Sequence, residues 1–227
     1  MLLGAKAALV DGVLVDGDVR IEDGRIAAVG VQPAGSDGIA LPGFVDAHIN
    51  GIAGVDFLGA DPDGYARAGD ALASTGVVAY QPTFVSSPLD AYPDALASVT
   101  EAARSEAGGP LIVGVHLEGP FLSPSWPGAH DPARLMAPDA GVADRLISGG
   151  PVTTMTVAPE LQGGLELVGM LAGRGVLRPG LSVEEGRDGL WTLCSLAVYD
   201  LLVETRGWGV ERYERWLADR LIDLLLG

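Results

Sequence analysis

Cysteine is almost missing: Cys194 stands alone in 227 residues. No intramolecular disulfide and no cysteine-built zinc site can form from it, and such usage fits a reducing cytoplasm, the location expected here. Histidine is nearly as scarce, with only His48, His116 and His130. Positive charge is short as well: fourteen Lys and Arg face thirty Asp and Glu, for a net charge of −16. A field of that sign repels phosphate backbones and anionic lipid, so neither nucleic acid nor a membrane surface is an expected partner. No apolar run approaches the roughly 18 to 20 residues of a membrane helix. Met1 to Gly17 has no basic start and carries Asp11 and Asp16 within its apolar stretch, unlike a signal peptide. What is present, 48% hydrophobic and 19% charged residues, describes a globular chain able to bury a core. Disordered and fibrous classes are excluded.

Composition changes near residue 176. Fourteen of the fifteen prolines and all four phenylalanines precede it, whereas Trp191, Trp208 and Trp216 follow it. Three regions are therefore expected: 1–40, 41–176 and 177–227. In the first, Val19 and Ile21 alternate with polar residues and Asp23-Gly24 turns the chain into Ile26 to Val29, a hairpin signal. Asp11-Gly12 and Asp16-Gly17 repeat the turn chemistry. A small antiparallel unit is the expected start.

From about residue 41, short apolar runs alternate with helix-like stretches. The runs cover Ile39 to His48, Val77 to Thr83, Pro110 to Glu118 and Pro151 to Glu160. Asp61-Pro62 and Ser87-Pro88 read as an N-cap followed by proline at the first helical position, opening helices up to about Ser74 and Ser105. Further helices are expected over Asp139 to Ile147 and Leu165 to Leu171. Alternating strands and helices imply parallel pairing, hence an α/β fold, either a doubly wound sheet or a (β/α)8 barrel, of which only about four β-α units fit.

The tail reads as a helical hairpin. Ser182 and Glu185 form a capping box, and Leu190, Cys194, Ala197 and Leu201 then share one helical face. Gly207 and Gly209 bracket Trp208, and a second helix runs from Val210 to about Leu225 with Tyr213, Leu217, Leu221 and Leu224 on one side.

Chemistry-bearing residues gather where these strands should end, the place where parallel β/α folds bind ligands. His48 and Asn50, two apart, would face one side of a strand, either as paired metal or substrate contacts or as structural hydrogen-bonding groups. His116, two positions before Glu118, either shares its face in the same way or is a core histidine or one that supports a ligand. A carboxylate buried at a strand end costs several kcal/mol unless a cation or donor pairs with it, so Glu118 is either paired, a divalent metal being the economical partner, or an exposed loop residue. The proline-rich loop from Ser123 to Pro132 holds His130 and is either a flap over a substrate or a plain connection.

Taken in order, Leu41-Pro-Gly-Phe-Val-Asp-Ala-His-Ile-Asn-Gly, Gln81-Pro82-Thr83, His116-Leu-Glu-Gly-Pro-Phe, Gly128-Ala-His130-Asp-Pro and Val157-Ala-Pro-Glu160 resemble the motifs of N-acetylglucosamine-6-phosphate deacetylases of the amidohydrolase superfamily. The resemblance covers about residues 1 to 176. It implies a small β-sandwich followed by a metal-bearing (β/α)8 barrel, with Glu118 as a metal ligand and Ala129 and His130 as substrate contacts. His48, Asn50 and His116 would line the site. It further implies a divalent metal, zinc for preference, an amino-sugar phosphate as substrate, and release of acetate from its N-acetyl group. Asn50 in place of a second histidine argues against a complete two-metal site. Two further metal-binding histidines, the proton-transferring aspartate and the phosphate-binding basic residues of that family have no counterpart here, so no catalytic residue is assigned and little activity is expected.

After Val176, Leu177-Arg-Pro-Gly-Leu-Ser-Val and Arg206-Gly-Trp-Gly-Val-Glu-Arg-Tyr-Glu-Arg-Trp-Leu are similar to the last two helices of TetR-type repressors, a pair that forms a dimer interface in those proteins. No helix-turn-helix reader precedes them. The chain thus reads as a truncated deacetylase-family barrel fused to a helical hairpin, prone to self-association through unpaired strand edges. The competing reading is a non-enzymatic dimerisation module.

Overall fold

A computed structural model describes residues 1–105, 109–172, 180, 182–193 and 195–225. It divides into two compact units, one made of 1–82 and 101–113, the other of 83–100 and 114–227.

The first unit opens with strands β1 (Ala5–Val10), β2 (Val13–Asp16), β3 (Asp18–Glu22), β4 (Arg25–Val31) and β5 (Asp37–Ala40). They form two small sheets, β2-β1-β5 and β3-β4. The Asp-Gly turns are where the sequence puts them: Asp11 and Gly12, then Asp23 and Gly24, take positive φ between antiparallel strands. Gly17 does something else. It carries the chain from one sheet into the other, and a Cβ there would run into the backbone of Gly30. Beside it the buried Asp18 carboxylate accepts the amides of Gly4, Ala5 and Val19 at 2.7 to 3.1 Å. Burial alone would raise its pKa, but these amides outweigh that and hold it below the ordinary carboxylate value.

The expected run from Ile39 to His48 is split. Its first residues end β5, which joins β1, and only after Pro42-Gly43 does β6 (Phe44–Ile49) begin and pair in parallel with β9 (Val77–Val85). Between them lie the short hairpin β7 (Gly51–Ile52) and β8 (Val55–Asp56), a 3-10 turn over Phe57–Gly59, and helix α1 (Pro62–Ser74). Asp61 caps α1 as expected, accepting the Gly64 amide at 2.7 Å. Tyr65, Ala68 and Leu72 bury its inner face. Phe57 stacks on Tyr65 at 5.3 Å and packs against Tyr80 at 5.6 Å. Burial pushes the Tyr80 hydroxyl up to about 12.

The run from Pro110 to Glu118 also breaks in two. Strand β10 (Leu111–Ile112) pairs with Ala79 and Tyr80 of β9, while β11 (Val115–Glu118) pairs with Thr83, Phe84 and Val85. In the second unit β12 (Val152–Met155) adds to β11, again in parallel. Helix α2 (Tyr92–Ala103) connects β9 to the strands that follow, α3 (Ala140–Ser148) connects β11 to β12, and α4 (Gly164–Ala172) follows β12. Parallel strands linked by helices make the chain a mixed α/β protein. Helix α2 starts one turn later than Ser87-Pro88 suggests. The Ser87 amide is taken by the Tyr92 hydroxyl at 3.2 Å, and that hydroxyl donates to the Val85 carbonyl at 3.3 Å. The Tyr92 hydroxyl thus ties the end of β9 to the helix. The helix expected over Asp139 to Ile147 is α3, and Asp139 caps it by accepting the Val142 amide at 2.8 Å.

In the tail, α5 (Val183–Leu193) starts at a true capping box: the Glu185 amide donates to Ser182 Oγ and the Ser182 amide to Glu185 Oε2. The continuous face expected through Ala197 and Leu201 is not formed. A short α6 (Leu196–Tyr199) passes into a π-helical turn over Asp200–Thr205, and Ala197 and Leu201 are exposed. Cys194 lies outside the described residues. Helix α7 (Val210–Leu225) buries Tyr213, whose ring meets Tyr199 edge-on at 5.1 Å, and Trp216 meets Trp208 at 5.9 Å. Among the described residues no helix is long and apolar enough to cross a membrane.

Candidate functional site

The second unit brings Glu118, His130 and Ser86 together. Glu118 is the last residue of β11, so the strand's own direction delivers its carboxylate to the sheet's C-terminal end. His130 arrives on the loop that follows. That loop is pinned rather than loose: the Trp126 amide donates to the Ser123 carbonyl, His130 to Pro127, and Met136 to Pro120, all between 2.9 and 3.0 Å. Asp131 closes it by capping a 3-10 turn over Pro132–Arg134.

His130 Nε2 lies 3.7 Å from Glu118 Oε1, with the imidazole 8% and the carboxylate 24% exposed. On the other side of the ring, Nδ1 receives the Ser86 backbone amide at 3.2 Å and sits 3.0 Å from the Ser86 hydroxyl. That hydroxyl also reaches the Glu118 carbonyl at 3.3 Å. Ser86 follows β9 by one residue and escaped sequence reasoning altogether. The available signal was its place just past a strand's C-terminal end.

His116 shares the Glu118 face of β11 but turns inward. It is buried, with Nδ1 3.2 Å from Thr83 Oγ1 and Nε2 2.8 Å from Thr156 Oγ1. Both ring nitrogens thus lie within hydrogen-bond distance of hydroxyls on adjoining strand ends. Ala129, beside His130, is exposed. His48 and Asn50 belong to the first unit and are exposed at the end of β6, where the His48 amide donates to Asp46 Oδ1 at 3.2 Å and the Asn50 carbonyl accepts from Phe57 at 3.1 Å.

The donor set falls short of a metal shell. Among the described residues no group of three His, Cys, Asp or Glu side chains converges. A zinc site ordinarily takes about three protein donors, and here one carboxylate is offered, with an imidazole whose Nδ1 is already an acceptor for an amide. A groove of about 240 Å³ between α2 and α3, lined by residues including Tyr92, Leu96, Val142 and Arg145, contains none of the expected site residues.

No family model matches the chain. It is similar to N-acetylgalactosamine-6-phosphate deacetylase of Escherichia coli O157:H7, 32% identical over 174 residues that make up 74% of this chain and 46% of that protein. Human N-acetylglucosamine-6-phosphate deacetylase is 38% identical over 168 residues, 68% of this chain and 40% of its own length. The relatives are amino-sugar-phosphate deacetylases. Among solved structures, N-acetyl-D-glucosamine-6-phosphate deacetylase from Mycobacterium smegmatis superposes with a TM-score of 0.66 at 32% identity, covering 76% of this chain and 47% of the other. A mutant of that enzyme, in complex with N-acetyl-D-glucosamine-6-phosphate, superposes equally well. The chain thus spans less than half the length of the proteins it matches.

Proposed function

We propose that this chain carries the β-sandwich part and the first four β/α units of a metal-dependent N-acetylglucosamine-6-phosphate deacetylase barrel, and that it holds part of the amino-sugar site without a complete hydrolytic centre. The observation that carries the reading is the pairing of Glu118 at a parallel strand's end with His130 on the loop that follows. The similarity to deacetylases over about three quarters of the chain supports it. In this reading Glu118 is one metal ligand, zinc being the preferred ion, and the Ala129 backbone and His130 meet the sugar. When bound, the metal would polarise the acetamide carbonyl. The residues present do not complete its shell, so no step is derived through it. What the chain supplies is binding: His130 donates toward a substrate oxygen, and the pinned loop orients it.

Isothermal titration of N-acetylglucosamine 6-phosphate into the folded chain tests the reading. Saturable binding that weakens by about tenfold in His130→Gln, roughly one hydrogen bond's worth, supports it; equal uptake by both proteins contradicts it.

A second reading rests on the tail. Arg212 lies 4.0 Å over the Trp208 ring, and Tyr199, Trp208, Tyr213 and Trp216 form one aromatic cluster that organises the last two helices. As a TetR-like hairpin this pair would dimerise the chain. Sedimentation of Leu217→Glu separates the readings, since only the dimerisation reading expects that change to leave monomers where the parent chain forms dimers.

A further inference from the structure

We infer that Ser86 is a positioning residue that fixes the tautomer of His130 and presents the ring as an Nε2–H donor beside Glu118, an inference that rests on the deacetylase reading for its consequence but not for its geometry. A backbone amide can only donate. Since the Ser86 amide lies 3.2 Å from His130 Nδ1, that nitrogen must carry a lone pair, and the ring's one proton sits on Nε2. The Ser86 hydroxyl donates its one proton to the Glu118 carbonyl at 3.3 Å while its oxygen lies 3.0 Å from Nδ1, so the same residue touches both the histidine and the main chain of the carboxylate-bearing residue. One residue therefore sets the position of both groups.

The neighbourhood is shaped for this serine. Ser86 is buried, and Gly119 leaves the space its hydroxyl fills: a Cβ at 119 would run into Ser86 Oγ, and the φ of +98° at that position is one that side chains rarely adopt. The ring is thereby held as a donor. At 3.7 Å, Nε2 is too far from Glu118 Oε1 for a direct hydrogen bond, so its proton remains directed at the space beside the carboxylate. A ligand oxygen that accepts a hydrogen bond there, phosphoryl or carbonyl, fits this presentation; a ligand group that can only donate does not.

The test is nitrogen-15 NMR of the full chain labelled at histidine, without ligand, at a pH where the rings are neutral. The loss of one signal pair in His130→Gln assigns the ring. The expected result is a single Nε2–H tautomer in the parent chain, retained in Ser86→Ala, which keeps the backbone amide, and averaging of the two nitrogen shifts in Ser86→Pro, which removes it. A parent spectrum with the proton on Nδ1, or with both nitrogens averaged as in free histidine, overturns the proposal without any variant. Averaged shifts in a folded Ser86→Ala also overturn it, because the amide would then not suffice to fix the ring. Adding N-acetylglucosamine 6-phosphate afterwards tests the functional reading separately: a fixed tautomer with no response to the sugar would fail that reading alone.

Discussion

The hydroxyl of Tyr92 bridges the end of β9 to the first turn of α2, donating to the Val85 carbonyl at 3.3 Å and accepting the Ser87 amide at 3.2 Å. It does so from a wholly buried ring, one residue short of Ser86 on each arm of the bridge. The strand end that carries Ser86 is therefore held from the side of the helix. Tyr92→Phe removes both bonds while preserving the packing, and leaves two backbone groups without that partner. A loss of about 1 to 3 kcal/mol is expected in urea unfolding, with the His130 ring signals disturbed in the same variant.

His130→Gln keeps a polar side chain but loses the ring. Binding of N-acetylglucosamine 6-phosphate should weaken by about tenfold, roughly the value of one well-placed hydrogen bond, while the melting temperature stays near that of the parent. Calorimetry and thermal melts on the same preparations check both halves.

Gly119→Ala forces a side chain into a position with φ of +98° and against Ser86 Oγ. A destabilisation of about 1 to 3 kcal/mol follows from the backbone alone. Histidine NMR should report that Ser86 no longer holds Nδ1, linking a change at 119 to a ring at 130.

Asp18 gives the first unit a pH dependence whose sign is set by its amide partners. Its folded pKa is held below the ordinary carboxylate value by those amides, so its contribution is present above that ordinary value and is lost as the pH falls through the folded pKa. Asp18→Asn should abolish that part of the acid sensitivity. Urea melts from near neutrality down to about pH 2 should show the two proteins' stabilities converging only below the carboxylate range.

Local chemistry was legible in the sequence because its partners are close. Asp61 and Asp139 cap helices three residues on, Ser182 and Glu185 cap each other, and Asp11-Gly12 and Asp23-Gly24 turn hairpins. Tertiary use of the same groups was not legible. Ser87 reads as a cap, but its amide goes to a tyrosine, and the apolar run from Ile39 to His48 gives no internal sign that its halves join different sheets. Glu118 and His130 stood out through motif resemblance, whereas the serine that organises them lies 44 residues from the histidine and belongs to no motif. The helical face through Ala197 and Leu201 failed because α5 ends at Leu193, a separate short helix carries Ala197, and a π-helical turn then shifts the register at Leu201.

The central claim is that the chain holds a sugar-binding corner without a working hydrolytic centre, and release of acetate from N-acetylglucosamine 6-phosphate tests it most directly. The folded protein, supplied with zinc, would be assayed beside Glu118→Gln. Acetate release no greater than that of the variant, from preparations whose circular dichroism and melts show a fold, is the predicted result. Turnover by the parent chain that disappears in Glu118→Gln would contradict the account, because it would mean that a complete site assembles from residues other than those described.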